Sequence, residues 1–270
     1  MTDDAHIFQQ LVARKGREHW RDMPWRADVR PYYVLVSELM LQQTQVTRVV
    51  PKFEAFVAQF PDVQTLAAAT LADVLKLWQG LGYNRRAKYL HDAARLVASC
   101  YGGELPSDEP RLVQLPGVGR HTAGAIRVYA FDQPSLFVET NIRTVYLHHF
   151  FAGRDSVGDD EIIAKLDATL DREHPRRFYQ ALMDYGAWLK SAGVRNTSVS
   201  QQYRRQSRFD GSVRQVRGEI IRALTYGSPL TLSQLRQRVA ADERFSDAYD
   251  GLKRDGLISQ RGRSISLTNR

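Results

Sequence analysis

The sequence predicts an almost wholly helical fold that ends in a small α+β module. Apolar residues recur at steps of three and four along most of the chain, the period of an amphipathic helix. After Leu189 that pattern lapses into a polar, arginine-rich stretch. It then resumes as three short helical stripes and closes in residues that alternate about Arg261-Gly262-Arg263, as in a β-hairpin.

Each element has its own signal. Pro31 opens a segment whose face runs Val34, Glu38, Leu41, Gln45 and Val49 at helical spacing. Thr70 with Asp73 resembles a capping box ahead of Leu71, Val74, Leu75 and Trp78. Ala87, Leu90, Ala94 and Val97 mark the next stripe. Ser107 and Asp108 can cap a short helix that ends at Leu115-Pro116-Gly117-Val118-Gly119, and a further helix begins at Arg120 or His121. Residues 160–173 continue the period through Ile163, Leu166 and Leu170, and residues 178–189 form an apolar helix that carries Asp184. Residues 190–212 read as a linker, and seven arginines face Asp210 and Glu219 between Arg195 and Arg222. Beyond it, Val213, Val216, Ile220 and Leu224 form one helix. Thr231 caps a second, with Leu232, Leu235 and Val239, and Phe245, Ala248, Tyr249 and Leu252 mark a third. Three helices and a basic hairpin predict a winged-helix-like domain over 213–270.

Composition narrows the class. The chain has 270 residues, 43% hydrophobic, enough for a packed core. No apolar run approaches the ~20 residues that span a membrane, and the N-terminus, MTDDAHIFQQ, has no basic-then-apolar leader. A soluble cytoplasmic protein is expected. Cys100 is the single cysteine, which excludes an internal disulfide and a thiolate-rich metal site. The net charge of +8 favours a polyanionic partner, most simply nucleic acid. Charge alone leaves a merely solvated basic surface open.

Three features carry chemistry. In residues 115–126, LPGVGRHTAGAI, Gly117 and Gly119 permit a tight turn whose N–H groups point outward, and the following helix adds its own unpaired donors. Leu115, Gly117, Val118, Gly119 and Arg120 thus outline an anion site suited to phosphate. An ordinary turn between helices is the bland alternative. Glu38 lies in the apolar stretch VLVSELML, where lost solvation raises a carboxyl pKa towards that of a general acid. A surface glutamate paired with an arginine is its alternative reading. Glu139 follows the apolar run LFV and precedes Thr140-Asn141, a helix start that favours the ionised form. As a pair, Glu38 and Glu139 suggest an acid and a stabilising anion, suited to glycosidic cleavage through an oxocarbenium-like state.

The blocks SELMLQQTQV (37–46), LWQGLGYNRRAKYLHDAA (77–94), LPGVGRHTAGAI (115–126), FVETNIRTV (137–145) and QALMDYGA (180–187) resemble the MutY-type adenine DNA glycosylases of the helix-hairpin-helix, endonuclease III superfamily. The likeness runs from about Pro24 to Leu189. It implies a bilobal, all-helical glycosylase module over 1–189, with duplex DNA bearing a mismatch or lesion as partner. Glu38 then matches the acid that protonates the departing purine at N7. Gln43 and Tyr83 match residues that wedge into the duplex beside a flipped nucleotide, with Gln42 alongside. Trp25, Leu41 and Gln180 match positions near the base pocket. His121 occupies the position of the Schiff-base lysine of bifunctional relatives, which implies base removal without strand cleavage. Whether His121 contacts phosphate, the pocket, or merely packs stays open.

The sequence departs from the family at three places. Glu139 replaces its catalytic aspartate, lengthening the arm by ~1.5 Å. Lys190 stands at the first cysteine of its iron–sulfur cluster, and the other three cysteines are absent, so neither metal nor cofactor is expected. The domain that inspects 8-oxoguanine is missing, and the winged-helix-like module stands in its place. A thymine or uracil mismatch glycosylase and a non-catalytic DNA-binding regulator are the competing readings. No protein partner is indicated.

Overall fold

The computed structural model describes residues 3–202 and 208–268. The helices, in order, begin with α1 (Asp3–Glu18), α2 (Pro24–Ala27), α3 (Pro31–Leu41), α4 (Val46–Gln59) and α5 (Val63–Ala68). Next come α6 (Leu71–Trp78), α7 (Arg85–Cys100), α8 (Glu109–Leu112), α9 (Arg120–Phe131) and α10 (Thr140–Phe150). Then follow α11 (Asp159–Thr169), α12 (Pro175–Ser191), a 3-10 turn at Thr197–Val199, α13 (Val213–Gly227), α14 (Leu232–Arg238) and α15 (Phe245–Arg254). Strands β1 (Ile258–Arg261) and β2 (Ser264–Leu267) form the one sheet among the described residues. None of the described helices is long and apolar enough to cross a membrane.

The chain divides into two compact units. The first joins residues 1–31, 107–113 and 119–205. Its core gathers Phe8 and Val12 of α1, Ile142, Val145 and Tyr146 of α10, Leu166 of α11, and Phe178, Tyr179 and Leu182 of α12, all buried. The faces match the expected helical stripes, with one shift. On α11 the buried residues are Ile162, Leu166 and Thr169, while Ile163 stands at the edge of the core and Leu170 lies past the helix end. Residues 192–202, expected as linker, are tied to this unit. Asn196 Nδ2 donates to the Thr144 carbonyl at 3.0 Å, and Val157 pairs with Ser200 in a parallel bridge. Arg204 and Arg205 of the arginine-rich run lie outside the described residues.

The second unit joins residues 32–106, 114–118 and 206–270. Leu35, Leu39, Met40, Val49, Phe53, Phe56, Leu71, Leu75, Trp78, Leu90 and Val97 are each at most 1% exposed, and form its helical core. Thr70 accepts the Asp73 N–H, and in the first unit Asp108 accepts the Arg111 N–H, so these expected caps are made. The continuous helical face from Val34 to Val49 is broken, however. α3 stops at Leu41 and α4 starts at Val46, because Gln43 takes φ +56° and turns the chain.

The C-terminal elements have the order expected of a winged helix. Thr231 and Gln234 form a reciprocal capping box at the start of α14. β1 and β2 pair antiparallel, Ile258 opposite Leu267 and Arg261 opposite Ser264. Leu230, between α13 and α14, bridges to Ile265 on β2 as a rudimentary third strand. Val216, Ile220, Leu224, Leu235, Phe245, Leu252, Ile258 and Ile265 are buried. α13 also packs on α6, so the module is seated on the helices of its own unit.

Candidate functional site

The second unit supplies the first carboxylate. Pro31 at the start of α3 needs no N–H partner there and pre-sets the helical φ. From Val34 to Met40 every residue is buried except Glu38, which is half-buried. Its flanks Ser37 and Leu39 are fully enclosed. The carboxyl therefore emerges from an apolar wall at a fixed point, one helical turn before the chain reverses. In that reversal Leu41 and Gln42 are half-buried and Gln43 is exposed. Gln42 Nε2 reaches the Gly117 carbonyl at 3.4 Å.

A second loop, residues 79–84, lies across from the first. Gly80 and Gly82 have φ +91° and +73°, which glycine takes without strain. Tyr83 follows at φ +46°. Among the described residues four non-glycines have positive φ, and Gln43 and Tyr83 are two of them. Such a conformation costs about 1–3 kcal/mol and persists only where the surroundings over-determine it.

Those surroundings are Arg86, a residue that no sequence motif singled out. It is 6% exposed. Its Nη1 donates to the carbonyls of Leu39, Met40 and Gln42 at 2.7, 2.8 and 2.6 Å. Its Nη2 donates to Thr44 Oγ1 and to the carbonyls of Leu81 and Gly82 at 3.1, 3.2 and 3.1 Å. One guanidinium thus binds both left-handed loops, and it stacks near the rings of Trp78 and Tyr83. Burial lowers its pKa to about 10, still charged at neutral pH. A signal existed: Arg86 falls in register with Leu90, Ala94 and Val97, a charge on an apolar stripe.

The hairpin departs from expectation in detail. Leu115 and Val118 are buried, and the Val118 N–H turns inward to the Leu115 carbonyl at 3.0 Å. They anchor the turn and present no surface to a ligand. Gly117 has φ +80°, and a Cβ there would lie 2.8 Å from that of Tyr89. Gly119, Arg120 and His121 are exposed. The first bond of α9 runs from the Ala123 N–H to the Gly119 carbonyl, so the N–H groups of Arg120 and His121 have no intrahelical acceptor. This end of the hairpin leaves backbone donors that could meet an anion.

The first unit supplies the second carboxylate. Tyr179 Oη donates to the Ser135 carbonyl at 2.7 Å, and its ring stacks on Phe137 at 4.4 Å. The strand-like segment that leads to Glu139 is thereby pinned to α12. Glu139 is the N-cap residue of α10, but its side chain makes no capping bond. Burial pushes its carboxyl up to about 7. This corrects the expectation that the helix start favours the ionised form: lost solvation outweighs the dipole. Gly186 sets the depth of this seat, since a Cβ there would lie 2.2 Å from the Asn141 carbonyl oxygen.

Trp25 and Gln180 belong to the same unit and are 8% and 9% exposed. Asp184, one turn past Gln180, accepts from Arg21 Nε at 2.6 Å and from Arg26 Nη1 at 2.7 Å. The two arginines tie the short helix of Trp25 to α12, which carries Gln180. Glu38, Leu41, Gln42, Gln43, Tyr83, Leu115, Gly117 and Val118 thus lie on one unit, and Trp25, Gly119, Arg120, His121, Glu139 and Gln180 on the other.

An iron–sulfur cluster does not fit these residues. Lys190 closes α12, the one cysteine is exposed on α7, and no group of metal-ligating side chains occurs among the described residues. The loop after α12 is held by the Asn196 and Val157–Ser200 contacts instead.

Residues 36–169 match the HhH-GPD superfamily base excision DNA repair protein family. The chain is 36% identical over 263 residues to an adenine DNA glycosylase of Mycolicibacterium smegmatis, covering 89% of this chain and 88% of that protein. It is 34% identical over 286 residues to an adenine DNA glycosylase of Mycobacterium tuberculosis, covering 96% and 93%. With the adenine DNA glycosylase of Mus musculus it shares 40% identity over 196 residues, 68% of this chain and 38% of that protein. A thermostable thymine-DNA glycosylase superposes with TM-score 0.61 at 24% identity, covering 68% of this chain and 86% of that one. A trapped endonuclease III–DNA covalent intermediate superposes with TM-score 0.55 at 19% identity, covering 70% and 86%.

Proposed function

The chain belongs to the HhH-GPD superfamily of base excision DNA repair proteins, among the MutY-type adenine glycosylases, and from that membership we propose that it is a monofunctional DNA glycosylase that removes adenine from a mispair. The observation that carries the reading is identity of 34–36% over nine-tenths of two adenine DNA glycosylases. The two carboxylates support it, each set among buried neighbours on a fixed element.

In this reading the exposed start of α9 takes a backbone phosphate. Gln43 and Tyr83 enter the base stack and help turn the target nucleotide out, which a mispair makes easier. Trp25, Leu41 and Gln180 border the extruded base. Glu38 gives its proton to N7 of the adenine, and the C1′–N9 bond breaks with its electron pair leaving on the base. Positive charge develops on the sugar, and ionised Glu139 stabilises it. Water then adds at C1′ and leaves an abasic site. In the free protein Glu139 is near its midpoint at neutral pH, so the substrate that brings the developing cation also favours its ionised form. His121 has no amine with which to form a Schiff base, so the strand stays intact. The enzyme works where genomic DNA lies, in the cytoplasm at the nucleoid.

The test is a panel of duplexes that varies target and opposite base, with the enzyme in excess and abasic sites revealed by alkali. Adenine release is expected, lost in Glu38→Gln and without a borohydride-trapped protein–DNA adduct. Release of thymine or uracil with no purine release overturns the substrate. Failure to release any base overturns the activity.

A further inference from the structure

Arg214 stands in the first turn of α13, in the C-terminal module, yet its partner is Tyr83. Its Nη1 donates to Tyr83 Oη. Its guanidinium lies over the Tyr83 ring at 4.8 Å and over the Phe209 ring at 5.6 Å. Arg86 also lies 5.5 Å from the Tyr83 ring and 5.4 Å from that of Trp78. Trp78, Arg86, Tyr83, Arg214 and Phe209 thus form a chain of contacts that alternates aromatic and guanidinium. It is buried at Trp78 and 52% exposed at Phe209. The module is also bolted beside this chain of contacts. The Asp255 carboxylate, only 8% exposed, accepts from Arg85 at the start of α7 and from Arg217 of α13. Burial acts to raise the Asp255 pKa, but the two arginines outweigh it and hold the group below the usual carboxylate range.

We propose that Arg214 is a positioning residue for the Tyr83 wedge, through which the C-terminal module acts in base release and not only in holding DNA. The proposal rests on the reading of Tyr83 as a wedge. Tyr83 sits in a left-handed conformation at a loop apex, so its ring direction is set by what flanks it. Arg86 contacts the ring from within the core. Arg214 contacts both the ring and the hydroxyl, and one guanidinium can hold the two together. A wedge held in its working direction lowers the barrier to turning the nucleotide out. Because the wedge is engaged only in the distorted duplex, loss of its support falls on the rate of release more than on affinity.

The experiment measures single-turnover adenine release from a duplex with a central A·G mispair. Affinity is measured on the same duplex with a 2′-fluorine on the target sugar, which blocks release. Arg214→Ala is expected to slow release about tenfold or more while affinity changes less than about threefold, the pattern of an interaction made mainly in the transition state. Arg214→Lys should be slowed comparably, since an ammonium cannot stack between two rings. Added to Tyr83→Ala, Arg214→Ala should slow release no further. Unchanged release with weaker affinity, and a salt slope reduced by ~0.9, would make Arg214 a plain phosphate ligand and overturn the proposal. Equal slowing in the Tyr83→Ala background also overturns it. If Tyr83→Ala alone releases adenine at the wild-type rate, the wedge reading fails first, and the proposal with it. Tyr83→Phe keeps the ring and deletes the acceptor, so it reports the hydrogen bond even where Arg214→Ala melts early; wild-type release by both Tyr83→Phe and Arg214→Lys overturns the assignment.

Discussion

Glu139 shows how a single side chain can set two effects against each other. At the N-cap of α10 the helix dipole favours its anion, and burial opposes it. Burial wins, with a carboxyl at about 7 against an ordinary 4.5. Between those values the folded state binds more protons than the unfolded state, so stability falls as pH rises through the window and stays lower above it. Glu139→Gln removes the buried charge. We expect the variant to lose base release, yet to be more stable than the wild type at pH 8 by about 1 kcal/mol or more, a Tm gain of roughly 2–4 °C for each kcal/mol. The gain should vanish by about pH 5, where the wild-type carboxyl is neutral as well. Calorimetric melts across this range decide it, and a Tm difference that does not vary with pH would show that the carboxyl is solvated. The sequence located Glu139 but not its protonation, because a cap position is read from neighbours in the chain and burial is set by the folded surroundings. Arg86 was missed for a related reason. Its register with Leu90 and Val97 marks a buried position, while four of its six hydrogen-bond partners, from Leu39 to Thr44, lie more than forty residues away in the sequence.

The helices themselves were mostly legible. Caps at Thr70, Asp108 and Thr231 bond locally, and their signals survive in the sequence. The break between α3 and α4 was not legible, because LQQTQV contains neither glycine nor proline and the apolar phase runs on to Val49. The left-handed Gln43 breaks the helix there, and the carbonyls of Leu39, Met40 and Gln42 are taken up by Arg86. The approach of α10 to α12 is likewise a matter between elements. Gly186 lets the two helices meet at a distance no side chain allows. In Gly186→Ala the new Cβ would force α10 away, at a cost of about 1–3 kcal/mol for overpacking. Glu139 rides on the start of α10. Single-turnover release should therefore fall by about tenfold or more, a larger effect than the stability loss explains at a temperature where the variant is folded. Wild-type release in a destabilised variant would mean that α10 yields elsewhere and leaves Glu139 in place.

The likeness to the mycobacterial proteins reaches into the C-terminal module. Their matches cover 89% and 96% of this chain, more than residues 1–189 alone can supply. Within the second unit the module has two ends with different surroundings. On α13, Arg214 lies over Tyr83 and Arg217 pairs with Asp255, which follows α15, so both cations are engaged by protein. At the β1–β2 tip, Arg261 and Arg263 flank Gly262, which takes φ +59° to close the turn, and all three are exposed. A cation engaged by protein gives up little counterion on binding DNA, whereas a solvated one that meets a phosphate displaces a condensed counterion. The tip is therefore where the module is expected to add sequence-independent affinity. Replacing Arg261 and Arg263 together by alanine should flatten the log–log dependence of affinity on salt by up to ~1.8, about 0.9 for each phosphate left without its arginine. Affinity should weaken equally on matched and mispaired duplexes, because phosphates carry no sequence information. Binding titrations at several salt concentrations on both duplexes check this. A slope equal to the wild type would mean that the hairpin does not touch the backbone. Weakening confined to the mispaired duplex would mean that it reads the distortion instead.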